Sequence, residues 1–222
     1  MFIGHWAPAL AAAAISPRAP RLGALFVAAQ LVDWAFFAFA LSGIEGMRVV
    51  PGHTAMNPLD FYHYPYTHSL AATGVWAVLF GLAMVIVRRD LFAGIVGALV
   101  VLSHWVLDFL VHAPDLTLAG GEQKFGLGLW NQPWIEMPLE LAITGFAFAF
   151  YMRRTKGPVG PPLILAVVLL AMQAINWFGP EPVEASAGFY ITGLLAFGLV
   201  TAIAWWVGAT RWHKSQVGLA VP

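Results

Sequence analysis

The sequence has 222 residues, of which 60% are hydrophobic and 10% are charged, and its mean hydropathy is +0.76. This composition excludes an ordinary soluble domain and indicates an integral membrane protein, so the lipid bilayer is its first expected partner. The formal net charge is zero, which gives no reason to expect nucleic-acid binding, and cysteine is absent, which excludes disulfides and thiolate metal sites.

Six apolar runs approach the roughly 20 residues that a helix needs to cross about 30 Å of hydrocarbon. They cover residues 22–44, 69–87, 91–112, 138–152, 161–178 and 187–209, and the short fourth run is expected to extend back toward Trp134. A preceding run, residues 2–15, is marginal in length and predicts a tilted or half-buried first helix. The sequence therefore predicts an all-α fold, a polytopic transmembrane helical bundle of about seven helices that forms a single domain over residues 1–222.

Basic residues are distributed unevenly between the two sides of these runs. With seven segments, nine of the eleven lysines and arginines fall on one side, and only Arg48 and Lys124 fall on the other. Short loops rich in lysine and arginine stay in the cytoplasm, so we expect the N-terminus outside and the C-terminus in the cytoplasm. Two long loops, residues 45–67 and 113–132, then lie outside, where long structured loops often bind ligands or act as lids.

The run at residues 91–112 carries three ionisable side chains spaced four positions apart. His104, Asp108 and His112 lie on one helix face because 3.6 residues complete each turn. Ionisable groups at membrane depth are costly and usually functional. The structural alternative is a buried hydrogen bond between His104 and Asp108 that only joins helices. His112 is expected at the rim of any site, because the end of the run has water available.

Other ionisable residues are expected at the same outer level of the bundle. They are His5 in the first run, Asp33 in the second, Asp60, His63 and His68 around the start of the third, and Glu136 and Glu140 at the start of the fifth helix. Imidazoles and carboxylates are standard ligands of Zn²⁺, Mn²⁺ and Fe²⁺, and a divalent ion offsets the cost of charged carboxylates in a low dielectric. We expect one or two divalent ions, and the best candidate ligands are His5, Asp33, His68, His104 and Asp108.

Several short patterns resemble the YdjM-like family of bacterial membrane-bound metal-dependent hydrolases. They are Gly4-His5, Leu31-Val32-Asp33, His-x-x-x-Thr-His-Ser at residues 63–69 and His-x-x-x-Asp at residues 104–108. Over residues 1–112, this resemblance implies a polytopic helical protein of the bacterial inner membrane with a His/Asp metal centre and a hydrolytic activity. Two positions depart from the family: Tyr64 replaces its usual arginine, and Asp33 stands alone where the family has Pro-Asp-x-Asp.

The leading interpretation is a metal-dependent membrane hydrolase with a site open to the outer, periplasmic face and a lipid or amphipathic substrate. The metal would activate water, with Asp60 or Glu140 as the general base. A non-catalytic haem- or pigment-binding subunit is an alternative, although a macrocycle would not require an aspartate one turn from its histidine. A proton- or cation-coupled transporter that uses Asp33, Asp108 and Glu140 is another.

Overall fold

The structure, a computed structural model, describes residues 1–215 and consists mainly of helices. Six helices are long and apolar enough to cross a membrane: α2 (Leu22–Leu41), α3 (Leu70–Arg88), α4 (Leu91–Val111), α5 (Pro133–Arg154), α6 (Gly160–Phe178) and α7 (Ala187–Thr210). Five of the six begin within one residue of a predicted run. The fifth helix begins at Pro133, where a proline is well tolerated, and continues through Pro138. The prediction of an all-α fold with several helices long and apolar enough to cross a membrane is thereby confirmed.

The first apolar run forms a short buried segment. It starts as a 3-10 helix, Ile3–Trp6, and continues as α1, Ala7–Ile15. Its length of about 20 Å is less than the thickness of the hydrocarbon core. Trp6 and Leu10 have no exposed surface, and the alanine-rich helix packs against α2, α4 and α5. The first segment therefore lies inside the bundle, surrounded by longer helices, and the described chain has six long apolar helices and not seven.

Close helix packing and an apolar outer surface both fit a bilayer environment. Helices α3 and α4 meet at Gly81 and Gly94, where a β-carbon on Gly94 would lie 2.8 Å from the Gly81 carbonyl oxygen. Small residues at such contacts allow two helix backbones to approach closely. On the opposite surfaces, large apolar side chains face outward, including Ile86, Phe146 and Leu195. Such surfaces would be unfavourable in water but suit contact with lipid.

The two ends of the bundle are closed by different loops. At one end, the loop between α2 and α3 contains an antiparallel hairpin of β1 (Gly46–Val49) and β2 (Leu59–His63). At the other end, β3 (Thr155–Lys156) pairs with β4 (Trp212–His213). We call the first the site end and the second, which also carries residues 16–21 and 88–90, the basic end.

The second long loop folds back over the end of α4 at the site end. Leu116 and Phe125 form an isolated antiparallel bridge, and the amide of Gly128 donates to the His112 carbonyl over 2.7 Å. Gly126 has a φ of +154°, and a β-carbon there would lie 2.5 Å from the carbonyl oxygens of His112 and Ala113. This contact requires glycine, so the loop is a close cover that fixes the position of His112.

Candidate metal centre

Four histidines and two aspartates from separate parts of the chain meet near the site end. His5 comes from the 3-10 helix, Asp33 from α2, His68 from the residue before the α3 cap, His104 and Asp108 from α4, and His112 from the end of α4. The four histidines and Asp108 are at most 3% exposed. The Asp33 side chain is 21% exposed. Every residue that the sequence suggested as a metal ligand therefore belongs to this cluster.

Asp108 is the centre of the cluster. Its Oδ1 lies 2.9 Å from Nε2 of His5 and 3.6 Å from Nε2 of His112. Its Oδ2 lies 3.1 Å from Nε2 of His104 and 3.7 Å from Nε2 of His68. The i, i+4 spacing of residues 104, 108 and 112 therefore brings all three side chains together, and His112 lies inside the cluster where the sequence predicted it at the rim.

Asp33 forms a second, smaller centre beside the first. Its Oδ1 lies 3.2 Å from Nε2 of His68 and 3.6 Å from Nε2 of His104. Its other oxygen accepts a 2.8 Å hydrogen bond from the amide of Gln30, one turn earlier on α2. Asp33 is thus oriented by its own helix and faces two histidines from two other elements.

The orientation of His104 determines which of its nitrogens faces the carboxylates. Its Nδ1 lies 2.8 Å from the backbone carbonyl of Ala29, which can only accept a hydrogen bond. Nδ1 must therefore carry the proton, and in a neutral ring Nε2 carries a lone pair. Nε2 is buried and makes no hydrogen bond within the described chain. A lone pair that faces two carboxylates is repelled unless a proton or a cation lies between them.

His68 is oriented in the same way through a side-chain relay. The hydroxyl of Thr67 donates to Oε2 of Glu45 over 2.6 Å, so its oxygen is free to accept from Nδ1 of His68 at 2.8 Å. Glu45 is itself held by the backbone amides of Tyr66 and Thr67. Carboxylates that orient metal-binding histidines through their outer nitrogen are common in metal sites. The Nε2 lone pair of neutral His68 consequently points at the two aspartates.

His112 has an equivalent support at the loop that covers α4. Its Nδ1 lies 3.0 Å from Oδ1 of Asp115, which also accepts a hydrogen bond from the Tyr64 hydroxyl. Burial, followed by the nearby Asp115 carboxylate, raises the pKa of Tyr64 well above its usual value, so the phenol stays protonated and donates. The third Nε2 atom therefore also faces the centre of the cluster.

His5 completes the cluster from the N-terminal segment. Its ring stacks on His104 with centroids 3.9 Å apart, and neither of its ring nitrogens makes a hydrogen bond within the described chain. Glu140 holds the segment in place, because its Oε1 accepts from the backbone amides of Phe2 at 2.6 Å and Gly4 at 2.9 Å. Its Oε2 accepts from Gln173 at 2.8 Å. Glu140 thus positions His5.

The donor atoms are close enough to share a metal ion. Two groups of three have ligand atoms within 4.8 Å of one another: His5, His104 and Asp108 form one, and Asp33, His68 and His104 form the other. Protonated histidines would make the same arrangement a buried ion-pair network. A divalent cation would bind the converging Nε2 atoms and both carboxylates, so the residues fit a metal.

A cavity of about 670 Å³ borders one side of the cluster. Its polar wall includes His5, Asp33, His68, Asp108 and His112, whereas α2, α6 and α7 supply mostly apolar residues. Glu136 and Glu140 of α5 form another part of the wall. This volume lies in the range of small-molecule sites, and the mixed lining suits an amphipathic ligand.

Two sequence candidates lie elsewhere in the structure. Asp60 is on β2, where its Oδ2 accepts a 2.7 Å hydrogen bond from Nε of Arg48 on the paired strand, and it does not line the cavity. His63 is exposed at the end of the same strand. The sequence reasoning missed Glu45 and Asp115 as supports of His68 and His112. Their positions in loops offered no periodic signal, although the neighbouring Thr-His-Ser pattern was recognised.

Comparisons with known proteins do not assign this chain to a family. The sequence matches no known protein family, and neither curated proteins nor solved structures contain a significant match.

Proposed function

We propose that this protein is a membrane-embedded, metal-dependent enzyme that hydrolyses a lipid or amphipathic substrate. The observation that carries the proposal is the common orientation of His68, His104 and His112. Each places Nδ1 against an acceptor of its own and Nε2 against the aspartates. If the histidines only joined helices, one hydrogen bond between an imidazole and a carboxylate would be enough. Three imidazoles that each direct Nε2 at the same two carboxylates are instead typical of metal sites.

The proposed ligands are His5, Asp33, His68, His104 and Asp108, with His112 as a further candidate. His104 belongs to both groups of three, so one ion or a pair that shares this residue fits the donors. Zn²⁺, Mn²⁺ and Fe²⁺ all accept nitrogen and carboxylate ligands. When bound, such an ion lowers the pKa of water and polarises a carbonyl or phosphoryl oxygen, which is the chemistry of hydrolysis.

Asp60 and Glu140 take different parts in this proposal. Asp60 is paired with Arg48 away from the cavity, so we leave it out of the reaction. Glu140 lines the cavity, but it already accepts three N–H hydrogen bonds. We therefore assign Glu140 as a positioning residue for His5 and not as the general base.

The substrate class follows from the cavity. One wall carries the metal candidates, and the remaining walls are rich in phenylalanine and methionine. An amphipathic molecule would place its reactive head at the histidines and its chain along α2, α6 and α7. The resemblance of residues 1–112 to the YdjM-like membrane hydrolases supports the same reaction class.

The proposed orientation follows from the distribution of charge. Arg18, Arg89, Arg154 and Arg211 all lie at the basic end. Basic loops stay in the cytoplasm, so the site end and its cavity would face outward, which is the periplasm if the protein belongs to a bacterial inner membrane.

The geometry favours a small ion over a haem or another macrocycle. The rings of His5 and His104 stack 3.9 Å apart, and the donor atoms of each group lie within 4.8 Å of one another. A tetrapyrrole needs an open plane beside each axial histidine. Convergent nitrogens instead suit a single ion or a close pair.

The test is the metal content and thermal stability of purified protein with Asp108→Asn. Wild-type protein is expected to bind one or two divalent ions, and the variant is expected to bind them about a hundredfold more weakly because a charged ligand is lost. In metal-free protein, the asparagine amide can donate to an Nε2 lone pair, so stability is expected to rise by about 1 kcal/mol. Elemental analysis and unfolding with and without chelator measure both effects.

Asp90→Asn is the matched control, because it removes a carboxylate at the basic end. It is expected to leave the metal content unchanged. Equal metal content in wild type and Asp108→Asn would contradict the metal centre. If wild-type protein binds no divalent ion, the cluster is a buried ion-pair network of protonated histidines and aspartates. That result would favour the transporter alternative. In a metal-loaded protein, chelator-sensitive cleavage of long-chain acyl or phosphoryl esters tests the hydrolase assignment.

A further inference from the structure

Glu136 is the one acidic side chain of the cavity wall that is fully buried and whose two oxygens make no hydrogen bond within the described chain. It lies in the first turn of α5, has no exposed surface, and neither of its oxygens makes a hydrogen bond within the described chain. Burial of a carboxyl group without a hydrogen bond is unfavourable unless a ligand or a proton satisfies it. Glu136 also lines the cavity, so a bound ligand can reach it.

The cavity wall is strongly acidic. Its lining includes the carboxylates Asp33, Asp108, Glu136, Glu140 and Glu181. None of the lining residues within the described range 1–215 is a lysine or an arginine. Such a cavity attracts cations and repels anions.

The other carboxylates of this wall already have partners or reach water. Asp33 and Asp108 face the histidines of the candidate metal centre. Glu140 accepts three N–H hydrogen bonds, and Glu181 is exposed at the mouth. The amino group of Met1 lies 3.3 Å from Asp108 and is therefore directed at that residue. Glu136 remains as the buried acidic group of the wall whose two oxygens make no hydrogen bond within the described chain.

The rest of the lining suits a cation that carries an apolar chain. Aromatic rings surround the cavity: Phe2, Phe37, Trp130, Trp177, Phe189 and Phe197. Aromatic faces attract ammonium groups and also pack against hydrocarbon. Met137 lies beside Glu136 in α5 and extends the apolar surface.

We infer that the cavity binds an amphipathic molecule whose head carries a protonated amine, with the ammonium on Glu136 and the chain among the aromatic side chains. This deepens the proposed function, on which it rests for the role of the cavity, by naming the substrate class. The hydrolysed group would then lie between the ammonium and the chain or beside it, where it faces the histidines.

The test measures binding of two probes that differ only in the head group, 12-bromododecylamine and 12-bromododecanol. The protein is placed in phosphatidylcholine nanodiscs, and bromine quenches tryptophan fluorescence on contact, which Trp130 and Trp177 can report from the cavity wall. Wild type is expected to bind the amine about tenfold or more tightly than the alcohol, the size of a charge-assisted hydrogen bond. Equal quenching by both probes would overturn the inference.

The matched variants are Glu136→Gln and Glu181→Gln, each of which removes one carboxylate of the same cavity. Glu136→Gln is expected to lose the preference for the amine and to keep the affinity for the alcohol, whereas Glu181→Gln keeps both. An amine preference that survives in Glu136→Gln would overturn the assignment. If Glu136→Gln does not fold, the comparison of the two probes on wild-type protein still tests whether the cavity prefers an amine.

The binding of an amine in the cavity and the binding of a metal by the histidines are tested by independent measurements. Probe binding is measured in chelator-treated protein, so it depends on neither metal content nor turnover. An amine preference in protein that binds no metal would support the cavity ligand and contradict the metal enzyme. Metal binding without a preference for the amine would support the metal enzyme and contradict the proposed cavity ligand.

Discussion

The two ends of the bundle both bury polar side chains, but only the basic end pairs them fully. There, Arg211 donates to the Thr155 hydroxyl and to the carbonyls of Thr155, Gly157 and Pro158 over 2.8 to 3.1 Å. Nε2 of His213 donates to the Ala14 carbonyl, and its Nδ1 accepts from Ser215. Buried polar groups that are all satisfied stabilise a packing arrangement.

At the site end, several buried polar atoms make no hydrogen bond, although the histidines lie close to the aspartates. Both nitrogens of His5, Nε2 of His104 and both oxygens of Glu136 are buried and make no hydrogen bond within residues 1–215. Unsatisfied polar groups lower stability, so a protein that keeps several in one place indicates a ligand site. The contrast teaches that burial of histidine or arginine does not by itself indicate a ligand site, whereas several buried polar atoms without hydrogen bonds in one place favour one.

The largest expected effect that would sharpen this comparison is at the basic end. Arg211→Ala removes four hydrogen bonds from a buried guanidinium, so it is expected to destabilise the protein by about 3 kcal/mol. Metal content is expected to stay at the wild-type value. Thermal unfolding and elemental analysis of the same preparation measure both.

Arg153→Ala is the control for this substitution, since Arg153 is an exposed cation at the same end. It is expected to change stability by less than about 0.5 kcal/mol. If Arg211→Ala removed the metal while the protein stayed folded, the two ends would be coupled and the comparison would break down.

An intermediate effect is expected from the relay behind His68. Thr67→Val keeps the shape of the side chain but removes the hydroxyl between Glu45 and Nδ1 of His68. Loss of an orienting hydrogen bond behind a ligand is expected to weaken metal binding about tenfold. Competition with a chelator of known affinity measures the change.

Thr73→Val is the matched control for the relay. Thr73 is also buried, and its hydroxyl donates to the Thr67 carbonyl over 3.1 Å without touching an imidazole. This variant is expected to lose about 1 kcal/mol of stability and to bind metal as wild type does. Equal metal affinities for the two variants would show that the relay does not orient a ligand.

The smallest expected effect concerns the ion pair of Arg18 and Asp90 at the basic end. The hydrogen bond from Arg18 lowers the pKa of Asp90 to about 2 from a usual value of 3.8. A lowered folded-state pKa means that the pair stabilises the protein above pH 3.8 and that this contribution is lost as the pH falls toward 2. The difference in melting temperature between wild type and Arg18→Gln is therefore expected to be small at pH 6 and to shrink below pH 4.

The exposed position of Arg18 explains why this effect is small, since solvent screens surface pairs. A difference in melting temperature that stayed constant from pH 6 to pH 3 would mean that Arg18 acts through its packing on Phe92 and not through the carboxylate.

The helices were predictable because their signal is local. An apolar run of about 20 residues has few alternatives in a bilayer, and both Ser69 and Asp90 accept hydrogen bonds from amides of the first turn that follows them. The first segment was less predictable. Whether a run of marginal length crosses the membrane or lies inside the bundle depends on the surrounding helices and not on its own residues.

The candidate site was predictable where its residues share a helix face or a recognisable pattern. His104 and Asp108 are one turn apart, so their proximity follows from helix geometry alone. His112 was placed too far out, because its burial depends on a loop that returns at Gly126. Glu45 and Asp115 were missed because they act through contacts between loops, for which the sequence has no periodicity.

Taken by itself, the sequence determined the membrane class, five of the six long-helix starts within a residue, and the set of histidines and acids from which a site could be built. Only the tertiary structure decided which nitrogen of each histidine faces the aspartates, that Glu140 is held by N–H donors, and that Glu136 is left without a partner. The physical reason is that apolar burial follows the local composition of a chain, whereas a hydrogen bond depends on distances and angles between residues that the fold brings together.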